Sequence, residues 1–403
     1  MSLHFNNPLG NCGPIYLINV LNPEVHVATT SVTKELSFVN GRCEFLSDSI
    51  ILDSFAMADL GEGVDYSLDY DYGKGSVIVT VKDKSTLTNS STYKEVSLTK
   101  IDSKTIIGGV TESGIYSGIS AIQLIYQRDF AVPNILAAPG WSHEPDVYAA
   151  MVAASQNING RWSAFVHADV HTLNESVSSA ILEKQSSGQS SKLSKVFWPP
   201  CRSATGEVYH GSTLGTWATQ MTDYANDSIP GETCSNKAVP VVAQHFEYGN
   251  QGFDQIQANE LNAAGITTFI PSGNKFVIWG GHTAAYTYGA TSDAAEIFDT
   301  NIRMMMYILN SFHAEWHDKL DKPMTIQLRD QITNRENDKL LGYVSRGYLI
   351  GSPRCIFSPT GNTTSDIVNG DFMWDIDATV TPQFKSGTLT VSYTDEGLSS
   401  YIS

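Results

Sequence analysis

At 403 residues, with 41% apolar and only 17% charged residues, the chain is long enough for two or three domains and too apolar to be disordered. Its formal net charge of −17 argues against a nucleic-acid binder, whose phosphate contacts need clustered Lys and Arg, and fits a basic partner protein or plain solubility. No signal peptide opens the sequence and no apolar run is long enough to span a bilayer, so the expectation is a protein made and kept in the cytoplasm or released by lysis.

Gly13-Pro14-Ile15-Tyr16-Leu17-Ile18-Asn19-Val20-Leu21 reads as a buried strand, stopped by Asn22-Pro23. Val32–Asp102 is rich in Thr, Ser and Val, with turn signals at Asn40-Gly41, Gly61-Glu62-Gly63 and Gly73-Lys74-Gly75. Tyr66, Leu68, Tyr70 and Tyr72 alternate with polar residues, and Val77–Val81 reads as the return strand. This is a small all-β domain inserted in the main fold. Its polar turns and its Asp65, Asp69 and Asp71 suit an outer surface, since those carboxylates are costly to bury unpaired.

Over 105–121 the spacing suggests a strand ending at Gly108-Gly109, a polar loop, and a helix from about Ser117-Gly118. Further strands are read at Asn134–Ala138, Trp162–Ala168 and Lys195–Trp198. Val147, Met151, Ala154 and Ile158 mark one face of a helix with Pro145 in its first turn, and Leu214, Trp217, Met221 and Tyr224 mark another. Alternating strands and helices give an α/β layer. The stretch Ala258–Thr283 is its most legible part. A helical lead-in precedes the apolar run Gly265–Ile270, the turn Pro271-Ser272-Gly273-Asn274 follows, and Phe276–Trp279 returns as a hairpin.

Phe298, Ile302, Met305, Leu309, Phe312, Trp316 and Leu320 are spaced by fours and threes, a long helix that Asp321-Lys322-Pro323 ends. Met324, Leu328, Ile332, Leu340 and Val344 form a second stripe, interrupted by Glu336, with Asp330, Asn334, Asn337 and Asp338 opposite. Strands follow at Gly347–Ile350 and over Phe372–Val380. After Pro382, the run Phe384-Lys385-Ser386-Gly387 reads as a flexible exit. Leu389, Val391 and Tyr393 then share one side of a strand that is either the last of its own domain or an arm for a neighbour.

Five scattered cysteines, Cys12, Cys43, Cys201, Cys234 and Cys355, include no CxxC and read as reduced, mostly buried thiols. Catalytic and metal signatures are weak. His167, Asp169 and His171 would share a strand face, but no second ligand cluster joins them. His313 and His317 flank Glu315 in the order HAEWH, not HExxH. Asp65, Asp69 and Asp71 lack the spacing of a calcium loop. Trp141-Ser142-His143-Glu144 is not a nucleophile elbow, because Glu144 stands where glycine is needed. Gly108-Gly109 has neither GK[ST] nor GxGxxG, so no phosphate loop is read.

Several passages together resemble the contractile tail sheath proteins of myophages and R-type bacteriocins. They are Ile106–Ser142, with its Gly108-Gly109 and its "NILAAPGWS"; Cys234-Ser235-Asn236-Lys237; Leu261-Asn262 with Gly265-Ile266-Thr267-Thr268; Phe276 with Trp279-Gly280 and Thr283; and "DKPMTIQLRDQI". One departure is His282, where similar proteins often carry arginine. The similar proteins have an N-terminal arm, and Met1–Cys12 reads either as a minimal arm or as a start downstream of the family's usual beginning.

The resemblance implies a multidomain α/β and α+β fold. It would comprise an N-terminal strand segment of the core (1–28), the inserted all-β domain (29–104), an α/β core (105–280), an inner C-terminal α+β domain (281–386) and a C-terminal extended arm (387–403). It also implies a structural subunit with no catalytic centre, cofactor or metal. Such subunits stack as hexameric rings around an inner tail tube protein and contract to drive the tube through a cell envelope. Further partners would be baseplate and tail terminator proteins, with no nucleic acid and no membrane insertion. The setting would be a virion tail assembled in the bacterial cytoplasm. Leu389, Val391 and Tyr393 would form the subunit-linking arm, and Asp330, Asn334 and Asp338 the tube-facing side of a helix. The alternatives from the residues alone are an acidic binding module using the β domain, and a serine hydrolase on the α/β layer.

Overall fold

The chain folds as two units, Leu17–Ala121 and Met1–Tyr16 with Ile122–Ser403. The structure, a computed structural model, describes all residues except 1, 6, 7, 10, 11, 23, 84–87, 172–175, 247–253, 402 and 403. One helical turn, α1 (Ser2–Phe5), precedes the smaller unit. The expected strand at residues 13–21 does not form. Leu17, Ile18 and Leu21 are 61%, 40% and 40% exposed. An apolar, β-branched run has strand propensity, but a strand needs a partner edge, and this segment meets none among the described residues.

In the smaller unit, β1 (Val32–Ser37), β2 (Arg42–Leu46), β3 (Ile50–Met57), β4 (Tyr66–Asp71), β5 (Ser76–Val81) and β6 (Thr88–Glu95) form two antiparallel sheets. Their orders are β1-β6-β3 and β2-β5-β4. Alternate residues from both sheets, among them Leu36, Phe45, Phe55, Tyr66, Val77, Val79 and Tyr93, make one core. Asn40 and Gly41 both take positive φ at the β1–β2 turn, as a tight hairpin requires. Asp65 accepts from the Gly61 amide at 2.9 Å, and Asp71 from the Gly73 and Lys74 amides at 2.9 and 3.2 Å. These two aspartates close turns.

Residues 103–107 are helical where a strand was expected. Asp102 caps α2 (Ser103–Ile107) by accepting from the Thr105 amide at 2.8 Å. The hairpin β7 (Gly109–Val110) and β8 (Tyr116–Ser117) follows. Here the glycines are obligatory. A Cβ on Gly108 would lie 2.0 Å from the Ser117 carbonyl oxygen and one on Gly118 2.4 Å from that of Ile106, and both residues have positive φ.

The larger unit continues with α3 (Ile125–Asp129), β9 (Ile135–Ala137), α4 (Pro145–Ser155), β10 (Phe165–Asp169), α5 (Val177–Ser186), β11 (Ser194–Phe197), β12 (Cys201–Arg202) and β13 (Val208–Tyr209). Next come α6 (Gly211–Ala225), β14 (Ala238–Val239), β15 (Ala243–Gln244), α7 (Gln255–Ala263), β16 (Ile266–Ser272) and β17 (Lys275–Trp279). Its sheet runs β14-β17-β16-β11-β10-β9, with β9, β10, β11 and β16 parallel. The 266–279 hairpin extends it antiparallel.

Strand alternation sorts the helices. On β11, Ser194 faces α4, where its hydroxyl meets Tyr148 at 2.6 Å. Lys195 and Phe197 face the other way, and Phe197 packs with Leu214 and Trp217 of α6. On β10, His167 and Asp169 also face α6, bonding Thr216 and Ser212. Both faces of the parallel strands are therefore covered, which is why β10 and β11 are buried at every position.

The C-terminal elements are α8 (Asp299–Trp316), α9 (Ile326–Ser345), β18 (Leu349–Phe357), α10 (Thr364–Asn369) and β19 (Trp374–Val380). Met304, Ile308, Leu340, Leu349, Cys355 and Val380 form their core, with Ile229 from the preceding segment. The buried face of α8 is rotated from the apolar stripe. Asp299 and Arg303 are inside, while Leu309 is 46% and Leu320 60% exposed.

Candidate assembly surfaces

The rotation of α8 follows from a charge cluster. Lys195 of β11, fully buried, reaches Asp299 at 2.6 Å and donates to the Gly280 carbonyl at 2.8 Å. Thr233 donates to the same carboxylate oxygen at 3.0 Å. One turn along, Arg303 pairs with Asp223 of α6. Burial raises the pKa of the Asp223 carboxyl, against the pull of Arg303. Asp299 lies in the first turn of α8, where the helix dipole also favours a carboxylate. Two oppositely charged pairs thus lock β11, α6, the 280 turn and α8 together.

The C-terminal sheet has only two strands, antiparallel β18 and β19. Its two outer edges are not equivalent. The Asn337 side chain of α9 accepts from the Cys355 amide at 2.9 Å and donates to the Cys355 carbonyl at 2.9 Å. Cys355 therefore points its backbone groups away from β19, and its partner Ile376 points them away from β18. By the two-residue period, Trp374 and Ala378 do the same. The outer edge of β18 is closed at its middle by Asn337, whereas among the described residues no strand covers the edge of β19.

After β19 the chain leaves the body. Gln383 donates to the Gly231 carbonyl at 3.4 Å, and Lys385 lies 5.3 Å above the Tyr286 ring. Beyond this root no strand pairing occurs among the described residues. Leu389, Val391 and Tyr393 are 85%, 81% and 85% exposed, and a single 3-10 segment, Glu396–Tyr401, follows.

On α9, Asp330, Asn334 and Asp338 are exposed and four residues apart, on the side opposite buried Ile332, Glu336 and Leu340. Asp330 is held by its neighbour Arg329 at 2.6 Å, while Asn334 and Asp338 line an open groove with Glu315 and Arg335. Glu336, which interrupts the apolar stripe, is buried with partners. It accepts from the Trp316 indole at 2.7 Å and pairs with Lys339 at 2.8 Å, and Lys339 also reaches Glu315 at 3.0 Å.

No family model matches the chain. It is 24% identical over 312 residues to the tail sheath protein of Escherichia phage P2, covering 74% of this chain and 72% of that one. It is 23% identical over 416 residues to the tail sheath protein of Burkholderia phage BcepMu, covering 96% and 83%. A subunit of an extracellular contractile injection system, the PVC sheath complex in its contracted state, superposes with a TM-score of 0.55 at 14% identity, over 73% of this chain and 79% of that one. The chain is similar to contractile tail sheath proteins in sequence and in fold. These sheath relatives are structural proteins and not enzymes, so the serine-hydrolase alternative falls.

In this sheath-like body the remaining candidate residues have structural partners. Asp169 accepts from the Ser212 amide at 2.7 Å and hydroxyl at 2.6 Å, fixing the start of α6. Ser142 donates to the same carboxylate and also accepts from the Asp169 amide at 2.9 Å. His167 is buried against Thr216 and Phe197, and burial holds its pKa well below the ordinary value. His171 stacks edge-on against His143 at 4.5 Å. His313 packs on Trp162, and His317 meets Arg161 at 2.6 Å. Among the described residues these groups form no metal-binding cluster.

His282 lies flat between Tyr286, 3.7 Å away at 9°, and Phe298, 5.1 Å away at 18°. Its Nδ1 meets the Ile297 carbonyl at 2.9 Å, and its buried Nε2 has no partner among the described residues. Burial lowers its pKa to about 4, with Lys385 and Lys195 adding to the effect. The unfolded chain therefore binds more protons between pH 6.5 and 4. The stability linked to neutral His282 is complete above 6.5 and is lost as pH falls through that window. The second buried grip on this loop is Lys184, which donates to the Ala284 carbonyl at 2.7 Å and whose pKa burial lowers to about 8.

Proposed function

We propose that this chain is the structural subunit of a contractile sheath. It polymerises as stacked hexameric rings around an inner tube, associates with a baseplate and a terminator at the ends, and contracts to drive the tube through a cell envelope. One observation carries the reading. An exposed segment, Thr388–Thr394, alternates apolar and polar residues and has no strand partner among the described residues, while β19, seven residues long, has an edge that no strand covers among the described residues. Seven residues of extended chain span roughly 23 Å, so the two match in length. A neighbour's segment adding to β19 satisfies both sets of backbone groups, and Leu389, Val391 and Tyr393 set the register. The charge cluster supports the other requirement, a body that turns as one piece while flexible links keep the mesh connected. The relatives' sheath names and the contracted-sheath neighbour support the same reading.

Negative-stain microscopy of the purified chain is expected to reveal rings or tubes. A monodisperse monomer at all concentrations would overturn the proposal. On the same reading, Asp330, Asn334 and Asp338 face the tube. Reversing Asp330 and Asp338 to lysine should weaken co-assembly with the tube protein on the order of tenfold at moderate salt, and less as salt screens the charges. Circular dichroism should stay unchanged, because both residues are exposed. Unaltered co-sedimentation with tubes would place the tube contact elsewhere.

A further inference from the structure

The root of the C-terminal segment is held by an unusual set of groups. Phe298, His282 and Tyr286 are stacked in that order, and the Lys385 ammonium lies over the outer Tyr286 ring at 5.3 Å. The Gln383 bond to Gly231, at 3.4 Å, assists it. Lys385 is thus the last anchor before the exposed stretch. We infer that this stack is an acid-sensitive latch, which holds the segment's root against the body while His282 is neutral and lets it go when His282 takes a proton.

The physical argument runs through charge. With His282 neutral, Lys385 is the cation over the Tyr286 ring among the described residues, and a cation over an aromatic ring is attracted by its quadrupole. Protonated His282 becomes a second cation on the opposite face of the same ring. It then competes for the ring's electrons and repels Lys385 directly. The other charges that face it are Lys195 from β11, which adds to the repulsion, and Asp299 at the start of α8, which opposes it. Asp299, however, is already committed to Lys195 at 2.6 Å and to Thr233. Lys184 grips the same loop at Ala284 and adds a further positive charge nearby. The mobile member of the set is Lys385, because the others are on packed elements and it is on the exit segment after β19. Proton uptake by His282 is therefore relieved by moving Lys385 away. Burial lowers the His282 pKa to about 4, so the latch is closed at neutral pH and opens only in acid.

The consequence for assembly rests on the arm reading above, because a held root aims the segment and a freed root lets it wander. The latch itself needs no neighbour and is tested on the monomer. Backbone 15N relaxation over 383–386, read as the fraction of chains with a freed root, is the measurement, on the full chain from pH 7 to 3.5. The freed fraction is expected to be constant above pH 6.5, to rise by at most about tenfold per unit as pH falls from there towards about 4, and to level off below it. His282→Gln should keep the freed fraction flat across the range. Lys385→Gln, at a position that leaves the core untouched, should already raise the freed fraction at neutral pH by roughly 2- to 30-fold, the range a cation–π contact supplies, and should display no step. Amides of β10 and β11, followed in the same samples, report global unfolding. The inference is overturned if the wild-type root displays no step, if His282→Gln displays the same step, or if root and core loosen together. A normal step in a chain that never forms tubes would leave the latch standing and sink the sheath reading.

Discussion

Truncation after Gln383 is expected to give a folded, soluble monomer that forms no rings or tubes. The last core residue is Val380, and among the described residues removed Lys385 contacts the body, over the Tyr286 ring. Exposed positions such as Leu389, Val391 and Tyr393 contribute within about 0.5 kcal/mol each to folding, so urea midpoints should barely change. Assembly should change by much more. On the proposed arm reading, the segment would supply a full strand's worth of main-chain hydrogen bonds to each neighbour, with every subunit both donating and accepting. Loss of that link removes a contact at each node of the lattice, and polymer should drop below detection in sedimentation and negative stain. Tubes formed by the truncated chain would make the segment dispensable. An unfolded truncated chain would mean that residues after 383 belong to the core.

The second large effect is expected at the charge cluster. Asp299→Ala removes the carboxylate that meets Lys195 at 2.6 Å and leaves a fully buried ammonium with one carbonyl partner at Gly280. Breaking a buried pair from one side costs about 3–5 kcal/mol, because the remaining charge keeps its desolvation penalty and loses its compensation. Equilibrium urea unfolding should report that loss. The double variant Lys195→Met with Asp299→Leu should recover most of it, since two apolar side chains of similar volume carry no charge to compensate. A single variant within 1 kcal/mol of wild type would mean that the pair is solvated and does not lock α8 to the sheet. A double variant as stable as wild type but unable to contract would assign the pair to the assembly.

The parts of this chain legible in its residues are those whose structure is decided within some twenty residues. The hairpin β16–β17 is one, because a turn cluster between two short apolar runs leaves the backbone little else to do. The β character of 32–95 is another, with the strands on either side of the Gly73–Gly75 turn legible individually, since turn signals repeat every ten residues or so and Tyr66–Tyr72 alternates with period 2. The long helices α8 and α9 follow from stripes of threes and fours. The exposed alternation of Leu389, Val391 and Tyr393 was visible too, though periodicity alone gave two readings of it.

What tertiary structure decided were matters of partner. The run at 13–21 has the composition of a core strand and is exposed, because burial depends on a free edge that no local pattern records. Residues 103–107 turn helical because Asp102 happens to cap them. Lys195, Asp299, Arg303 and Glu336 look like surface charges in the sequence. Each is buried because an opposite charge arrives from an element roughly 80 to 100 residues away or, for Glu336 with Lys339, from the next turn. The choice between the two edges of β18–β19 rests on one asparagine side chain, Asn337, whose two hydrogen bonds to Cys355 exist only once α9 packs on β18. Composition and spacing settle the long helices and the hairpins. Which charges are safe inside, and which edge stays open for another chain, depends on groups brought together by the fold, since Coulomb attraction and hydrogen bonding act through space and not along the sequence.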